Sequence, residues 1–296
     1  MQTLPTTYKS ESLEISFPVS KAGLRGERPG PTWDVWASWG TRVKNVFAPL
    51  VLSLAFPCAI LILWWVASAF TWLPSNILPG PGVVAQTFCD LLKGGDLATN
   101  LGASLRRVAE GAALGLTLGL GLGLALGFSP TVESWIGPLF RTIAQIPSIA
   151  LIPLLMMVLG IDDRLKLFIM VKACVIPLAF TTADGIRNIP TQYLEVGKVL
   201  QLSRWTLIKK IILPGALPSI FSGVRQGLAH VWVSLVAVEI LASADGIGYL
   251  MTWGRQIFQL DVVLVCVAVI GVIGFILDFG LKKLETGMLR WRGTGG

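Results

Sequence analysis

The sequence predicts an all-α protein that is embedded in a membrane and crosses it six times. Hydrophobic residues make up 53% of the 296-residue chain and charged residues only 14%, and the mean hydropathy is +0.71. A soluble domain carries roughly 25% charged residues, so this chain has too little charge to cover a surface in water. Several uncharged runs also approach the length of about 20 residues that a helix needs to cross a bilayer.

The residue types argue against a catalytic or metal site. His230 is the single histidine, so most metal sites and Ser-His-Asp mechanisms lack the imidazoles they need. The cysteines are scattered and are interpreted as small apolar residues in helices rather than as a disulfide framework; they are Cys58, Cys89, Cys174 and Cys266. We therefore expect no enzyme, no metal and no bound cofactor. The net charge of +7 would suit nucleic acid, but the hydropathy excludes that partner.

Residues 1–45 are predicted to form a cytoplasmic tail. The first apolar run starts too late for this segment to be a signal peptide. The end of the tail carries an apolar stripe at helical spacing, which predicts an amphipathic helix on the inner face of the membrane. The stripe consists of Trp33, Trp36, Gly40, Val43 and Phe47.

The first span is predicted at residues 47–70, inside a stretch without any charged residue between Lys44 and Asp90. Residues 73–82 end it, because three prolines and two glycines cannot continue a helical backbone. Five further spans follow. They lie between Glu110 and Glu133, between Arg141 and Asp162, and at residues 165–182, 217–241 and 262–277.

The basic residues indicate which side of each span faces the cytoplasm. With the N-terminus inside, 17 basic residues fall on inner segments and 6 on outer segments. Cytoplasmic segments of membrane proteins carry the excess of Lys and Arg. The distribution therefore predicts that both termini are cytoplasmic, as in a multi-pass protein of a bacterial inner membrane that is surrounded by membrane lipids. Arg106 and Arg107 are placed at the level of the outer headgroups.

Glycines recur at every fourth position of the second span. On a helix this spacing makes a straight groove without side chains, which lets a neighbouring helix approach closely. The groove consists of Gly111, Gly115, Gly119, Gly123 and Gly127. The neighbour could belong to the same chain or to another subunit, and the contact could be static or could slide during gating.

Charged residues inside a span are costly and usually face protein or water. Lys172 lies nearest the middle of its span and could attract an anion or could pair with a carboxylate or with carbonyl groups. Arg225 and Glu239 fall near opposite ends of the fifth span, where reaching the interface is the simpler explanation. His230 is interpreted as a hydrogen-bonded packing residue.

The segment between the fourth and fifth spans reads as a short amphipathic helix, a bend and a basic second helix that Pro214 ends. It could lie on anionic lipid or could be a handle for a cytoplasmic partner. Its sequence resembles the EAA loop of membrane subunits of ABC importers, in which Glu-Ala-Ala, three residues, Gly, nine residues and Ile-x-Leu-Pro follow one another. The matching or substituted positions are Glu195, Val196, Gly197, Gln201, Leu202, Ser203, Arg204, Ile211, Leu213 and Pro214.

Three of these positions depart from the family pattern, since Val196 and Gly197 replace the alanines and Gln201 stands where the glycine belongs. The bend must therefore accept a side chain at Gln201. Other motifs look like those of the nitrate, sulfonate, taurine and bicarbonate importers. They start at Leu73, Ser104, Ile146, Val236 and Gly246.

The resemblance implies the fold of a type I ABC importer permease. It implies a transmembrane domain over residues 46–290, a five-helix core at about 98–284 and a coupling loop at about 187–214. It also implies a second copy of this chain, two ATPase subunits that bind ATP and Mg²⁺, and an extracytoplasmic solute-binding protein. The chain has no phosphate-binding loop motif of its own.

The resemblance implies a small anion as substrate, with aliphatic sulfonates or taurine first and nitrate or bicarbonate as alternatives. Candidates for the lining of the pathway, each of which could equally be a packing residue, are Gln145, Ser148, Lys172, Thr181, Ser234 and Glu239. A secondary transporter driven by ion gradients is the competing function, but such folds often show internal repeats and charged midplane sites, and we find no convincing repeat and few such charges. A membrane-embedded enzyme would need a nucleophile–base pair, which a single histidine and scattered carboxylates do not supply.

Overall fold

The computed structural model describes residues 55–72, 74 and 77–288, and within these ranges the chain forms helices and turns without a strand. The chain divides into two units, Met1–Leu61 and Ile62–Gly296. The predicted tail and its amphipathic helix lie outside the described residues. The first unit therefore contributes only the beginning of the first described helix.

The helices are named α1 to α11 in chain order. They are α1 (Ala55–Ala69), α2 (Pro81–Gly94), α3 (Asp96–Phe128), α4 (Pro130–Ala144), α5 (Ile152–Leu159), α6 (Asp163–Arg187), α7 (Thr191–Val199), α8 (Arg204–Leu207), α9 (Leu213–Ala242), α10 (Ile247–Gln256) and α11 (Leu260–Met288). A 3₁₀ turn, Ile149–Leu151, precedes α5, and a π-helical turn, Ile208–Ile212, joins α8 to α9.

Four of the described helical segments are long and apolar enough to cross a membrane: α3, α6, the continuous stretch Arg204–Ala242, and α11. A fifth span is possible if α4 and the segment Ile149–Leu159 are counted together, although the two halves are bent by 82°. Helix α1 is apolar but shorter. The described residues therefore contain four or five candidate spans, against the six that the sequence predicts.

The predicted third span is not one continuous helix. Helix α4 ends at Ala144, and the N–H groups of Gln145 and Ile146 bond three residues back, to Thr142 and Ile143. Pro147 follows; it lacks an N–H group and disfavours helical backbone at the residue before it. The bend at residues 145–148 is the consequence. The helix expected between Glu110 and Glu133 is also longer than predicted, since α3 begins at Asp96.

The glycine groove of α3 packs against α6 of the same chain. Each glycine faces the residue 59 positions later, in the pairs Gly111–Met170, Gly115–Cys174, Gly119–Leu178, Gly123–Thr182 and Gly127–Ile186. A Cβ added at Gly115 would lie 2.5 Å from the Cβ of Cys174. Because the constant offset means that both helices advance together, α3 and α6 are parallel.

Helix α9 runs antiparallel to α6 and completes the core. Gly227 meets Cys174, whereas Gly223, one turn earlier on α9, meets Thr181 further along α6. Where the three helices meet, their buried apolar side chains are Val108, Met170, Cys174, Val231, Trp232 and Leu235. The core therefore has two ends: the loop end, where α6 leads into residues 188–212, and the opposite end, where α3 and α6 begin and α9 finishes.

Candidate functional site

The coupling-loop segment at the loop end is held by a tight turn at the end of α7. The N–H of Leu202 donates to the carbonyl of Gly197, and the N–H of Gln201 donates to that of Lys198, each at 3.0 Å. These bonds form a Schellman motif, which places the residue at its turn in the left-handed conformation. That residue is Gln201, with φ +50°. The family pattern has glycine at this position, and the backbone here adopts the conformation that favours glycine.

Gly197 allows α7 to pack closely against the helix that follows. A Cβ at this position would lie 2.5 Å from Cδ1 of Leu207 and 3.9 Å from Cδ1 of Leu202. The residue that replaces the second alanine of the family pattern is therefore buried between the two short helices. Close packing here fixes the angle between α7 and α8.

The second helix begins at a capped serine and opens before a proline. The Oγ of Ser203 accepts from the N–H of Thr206 at 3.3 Å. The N–H of Leu213 bonds five residues back to Ile208, so the helix widens by one residue just before Pro214. In a regular α-helix, the ring of a proline clashes with the carbonyl group four residues earlier. The π-helical turn before Pro214 makes room for this ring.

The outer face of the loop is rich in exposed apolar side chains. Val199 is 82% exposed and Trp205 is 72% exposed. Exposed apolar residues also include Tyr193, Val196 and Leu200. Glu195 and Arg204 are exposed, whereas Leu202 and Ile211 are half-buried beneath them. A group of exposed apolar side chains of this kind is typical of a site for another protein or for a membrane.

The structure brings only some of the pathway candidates together. The Nζ of Lys172 lies 2.7 Å from the carbonyl oxygen of Ile146 and 3.4 Å from Oγ of Ser148, at the bend between α4 and α5. Gln145 is exposed at the same bend. Lys172 thus bonds neutral oxygens, one of the alternatives left open by the sequence.

The other three candidates lie elsewhere. Thr181 donates to the carbonyl of Pro177 at 2.9 Å and lines a recess of about 340 Å³ near the loop end, together with Asp184, Asn188, Ser219 and Ser222 among others. Ser234 is buried in α9, and Glu239 is only 1% exposed. In one chain the six residues do not line a single cavity.

The expectation that Glu239 reaches the interface is wrong. Its carboxylate is buried at the opposite end, where Ser104 donates to it at 2.8 Å and the N–H of Gly248 at 3.0 Å. Arg107 approaches it at 3.3 Å and also bonds Asp163 at 2.9 Å and Asp245 at 2.6 Å. A buried charge needs such partners because it has lost its hydration.

Arg107 is also buried, at 7% exposed, so its side chain is shielded by the protein. Lys166 adds a second cation, 3.0 Å from Asp163 and 3.6 Å from Asp245. We call Ser104, Arg107, Asp163, Lys166, Glu239 and Asp245 the buried ion network. Its centre is buried, whereas the side chains of Asp163 and Asp245 at its edge are 62% and 53% exposed. Sequence reasoning missed it because the other charged members lie 56 to 138 residues from Arg107 along the chain. The available signal was that several of them are charges next to apolar runs.

Asp245 lies in the turn between α9 and α10, outside the spans. Partial burial raises the pKa of its carboxyl group, but the hydrogen bond from Arg107 and the charges of Arg107 and Lys166 outweigh that effect, and the pKa is lowered. Asp245 is therefore held in the charged form, which ties the α9–α10 turn to α3.

Arg225 makes two hydrogen bonds to Asp278 of α11, at 2.7 and 2.9 Å, and this pair is exposed. One further expectation needs correction, because His230, expected to pack, is exposed on α9. At the loop end, Glu133 of α4 pairs with both Arg141 and Arg187, and Arg187 also donates to the carbonyl of Leu126 at 2.6 Å. Sequence reasoning missed this second cluster as well.

Comparison with known proteins now decides the family. Residues 115–290 match the model of the family described as binding-protein-dependent transport system inner membrane component. The chain belongs to this family of ABC importer permeases. The prediction made from the loop and its accompanying motifs is thereby confirmed, as is the prediction of a multi-pass protein of the inner membrane.

Relatives of this permease have similar lengths. It is 38% identical over 235 residues to the putative aliphatic sulfonates transport permease protein SsuC of Escherichia coli, covering 79% of this chain and 89% of the relative. The protein of the same description from Bacillus subtilis is 32% identical, with 81% and 87% covered. The taurine transport system permease protein TauC of E. coli is 29% identical, with 82% and 90% covered. The permease is thus a transport component of the sulfonate, taurine and bicarbonate subfamily and not a catalytic subunit.

Proposed function

We propose that this permease is the membrane subunit of an ATP-driven importer of small organic anions, with aliphatic sulfonates as its first substrate class. Two copies would face each other around the pathway, each on one ATPase subunit, and an extracytoplasmic solute-binding protein would deliver the substrate. The names of the relatives support the substrate class. ATP and Mg²⁺ would bind to the ATPase.

The observation that carries this proposal is the geometry of the coupling loop. Helix α7 presents exposed apolar side chains such as Val199 and Leu200. The turn at Gln201 and the packing of Gly197 on Leu207 hold α7 firmly on the rest of the loop. A rigid apolar face at the end of the core is suited to docking on a partner that pushes it.

The path from this loop into the core is short. Helix α7 follows α6 after only three residues, and α8 continues through the π-helical turn into α9. Both α6 and α9 belong to the central packing of the chain. Movement of α7 by closing ATPases would therefore move two of the three helices that form the core of each copy, and so switch access to the pathway.

The membrane topology that we propose has six spans and both termini in the cytoplasm. Helix α1 belongs to the first span and the bent pair α4–α5 to the third. The loop end of the core is then cytoplasmic and the buried ion network extracytoplasmic. The transmembrane domain covers residues 46–290, with the five-helix core at about 98–284.

A charged substitution on α7 tests the coupling. Val199→Asp should abolish co-purification of the ATPase and uptake of radiolabelled ethanesulfonate, because a buried carboxylate without a partner costs several kcal/mol at an apolar interface. Thr286→Asp, which places the same charge on the exposed end of α11, is the matched control and should leave both unchanged.

Two results would contradict the proposal. One is that Val199→Asp retains the ATPase and normal uptake. The other is that uptake persists when no ATPase accompanies the chain and stops when ion gradients are collapsed, which would make the protein a secondary transporter. Uptake of nitrate or bicarbonate but no sulfonate would keep the importer and change its substrate.

A further inference from the structure

Helix α4 lies antiparallel to α6, and pairs of side chains join the two helices. Near the start of α4, Glu133 pairs at 2.5 Å with Arg187, the last residue of α6. About two helical turns further along α4 and two turns earlier on α6, the ring centroids of Phe140 and Phe180 lie 5.0 Å apart. Because the partner on α6 moves back as α4 advances, the two helices run in opposite directions.

A third contact lies at the bend where α4 ends. The ammonium of Lys172, about two turns earlier on α6 than Phe180, donates to the carbonyl of Ile146 at 2.7 Å and lies 3.4 Å from the hydroxyl of Ser148. The carbonyl groups at the end of a helix carry a partial negative charge, which a cation stabilises. Side chains of α6 therefore hold α4 at both of its ends.

A glycine of α4 makes room for the carboxylate of Glu133. Gly137, one turn after Glu133, is buried, and a Cβ added there would lie 2.9 Å from the carboxyl carbon of Glu133. The side chain of Glu133 therefore lies along the helix, over the glycine, where Arg141 of the same helix also pairs with it. Glu133 thus has one basic partner on α4 and another on α6.

Arg187 lies where the coupling loop joins the core. Only three residues separate it from α7, and its guanidinium also donates to the carbonyl of Leu126, near the end of α3, at 2.6 Å. The side chains of Arg187 and Glu133 are 34% and 21% exposed, so solvent screens this pair less than it screens a pair on the open surface. A displacement of α7 can therefore reach α4 through Arg187.

Helix α4 is one half of a bent span. It meets the segment Ile149–Leu159 at an angle of 82°, and a break of this kind is a place where a few residues can absorb a change of direction. Beyond the bend, α5 packs on α6 and α9 through buried apolar residues. These residues are Ile152, Leu165, Ile169, Val238 and Ala242. Helix α4 can thus pivot at the bend while α5 stays in the core.

We propose, resting on the importer function above, that the pair Glu133–Arg187, which we call the clasp, transmits movement of the coupling loop to α4. When closing ATPases displace α7, Arg187 draws the loop end of α4 with it, and α4 pivots at the bend where Lys172 holds Ile146. The clasp is a positioning device that touches neither ATP nor substrate. Its loss should leave the ATPase bound and active, while α4 no longer follows the loop.

Hydrogen–deuterium exchange on the full chain in nanodiscs tests the clasp without any partner protein. Arg187→Gln and Glu133→Gln should each raise the exchange of amides in residues 130–144 by about fivefold, because a partly shielded ion pair is lost. The double variant should add little to either single one, since both remove the same pair. Arg141→Gln is the matched control, because Arg141 pairs with the same carboxylate from within α4 and does not join α4 to α6. Unchanged exchange in Arg187→Gln, or an equal rise in Arg141→Gln, would overturn the proposal.

Transport by the complete importer in proteoliposomes tests what the clasp does. In Arg187→Gln, the amount of ethanesulfonate taken up per ATP hydrolysed should fall by about fivefold or more, with ATPase co-purification and KM unchanged. Arg187→Lys should recover part of the loss, because lysine keeps the charge, and Arg141→Gln should match the wild type. A wild-type ratio in Arg187→Gln would overturn this proposal alone. A wild-type chain that neither holds an ATPase nor couples uptake to ATP would overturn the importer function itself.

A methyl group added at Gly137 tests the geometry while every charge is kept. In Gly137→Ala the new Cβ would lie 2.9 Å from the carboxyl carbon of Glu133, so the carboxylate must leave its position over the helix. Uptake per ATP should then fall as in Arg187→Gln. Gly121→Ala, where an added Cβ meets nothing within 4 Å, is the control and should keep the wild-type ratio. A wild-type ratio in Gly137→Ala would show that Glu133 does not act from this position and would overturn the proposal.

Discussion

Glu239 of α9 and Arg107 of α3 form an ion pair inside the protein, with 3.3 Å between Oε1 and Nη1. Both residues are buried: Glu239 is 1% exposed and Arg107 is 7% exposed. The pair is completed by Ser104, whose hydroxyl donates to Glu239 and accepts from the N–H of Ile247 at 2.9 Å. Helices α3, α6, α9 and α10 therefore meet at one set of charges.

Removing the cation from this network should destabilise the protein strongly. Arg107→Met leaves Glu239 buried without its positive partner, and breaking such a pair typically costs about 3–5 kcal/mol. Equilibrium unfolding of the purified full chain in mixed micelles measures the loss. Arg106→Met is the neighbouring control, because Arg106 pairs with Glu110 on the exposed surface, and it should change the stability little. Similar losses for the two variants would show that the buried network is not a special source of stability.

Asp245 gives the same region a dependence on pH. Its pKa is lowered in the folded chain from the ordinary value of 3.8. The contribution of its carboxylate to stability is therefore present above that ordinary value and is lost as the pH falls through the folded-state pKa. Asp245→Asn should have a lower melting temperature than the wild type at neutral pH, and the difference should shrink as the pH falls to about 3 and below. A difference that is constant over this range would contradict the assignment.

Glycines of α3 should tolerate an added side chain only where no other helix faces them. Gly115→Ala would place a Cβ 2.5 Å from the Cβ of Cys174, whereas a Cβ at Gly121 on the same helix meets nothing within 4 Å. Overpacking of this kind costs about 1–3 kcal/mol, so Gly115→Ala should lower the melting temperature. Gly121→Ala should not, because alanine favours helix over glycine. Equal effects of the two substitutions would mean that α3 and α6 do not pack as the structure places them.

A sequence pattern can specify the geometry of a few neighbouring residues, but it does not specify which distant residues meet in the fold. A four-residue glycine spacing defines a smooth face on α3, but it does not determine that α6 covers this face with an offset of 59 residues, because the offset depends on how the two helices are placed. The loop motif located the bend at Gln201, since a bond pattern within a few residues specifies it. The Arg107–Glu239 pair spans 132 residues, and no local spacing indicates it. The bend at Gln201 was therefore predictable from a local motif, whereas partners distant in sequence were not.

Substitution of glutamine by glycine should have opposite effects at two positions of the coupling loop, Gln201 and Gln192. Gln201 has φ +50°, where a side chain costs about 1 kcal/mol or more relative to glycine. Gln201→Gly should therefore strengthen the turn and increase the protection of amide hydrogens in α7 by several-fold. Gln192→Gly, in the first turn of α7, should decrease that protection, because glycine weakens a helix by about 1 kcal/mol relative to good helix formers. Hydrogen–deuterium exchange on the full chain, followed in peptides covering residues 191–203, measures both. If Gln201→Gly loses protection as Gln192→Gly does, the loop does not use a left-handed turn there, and the rigid presentation of α7 proposed for coupling loses its basis.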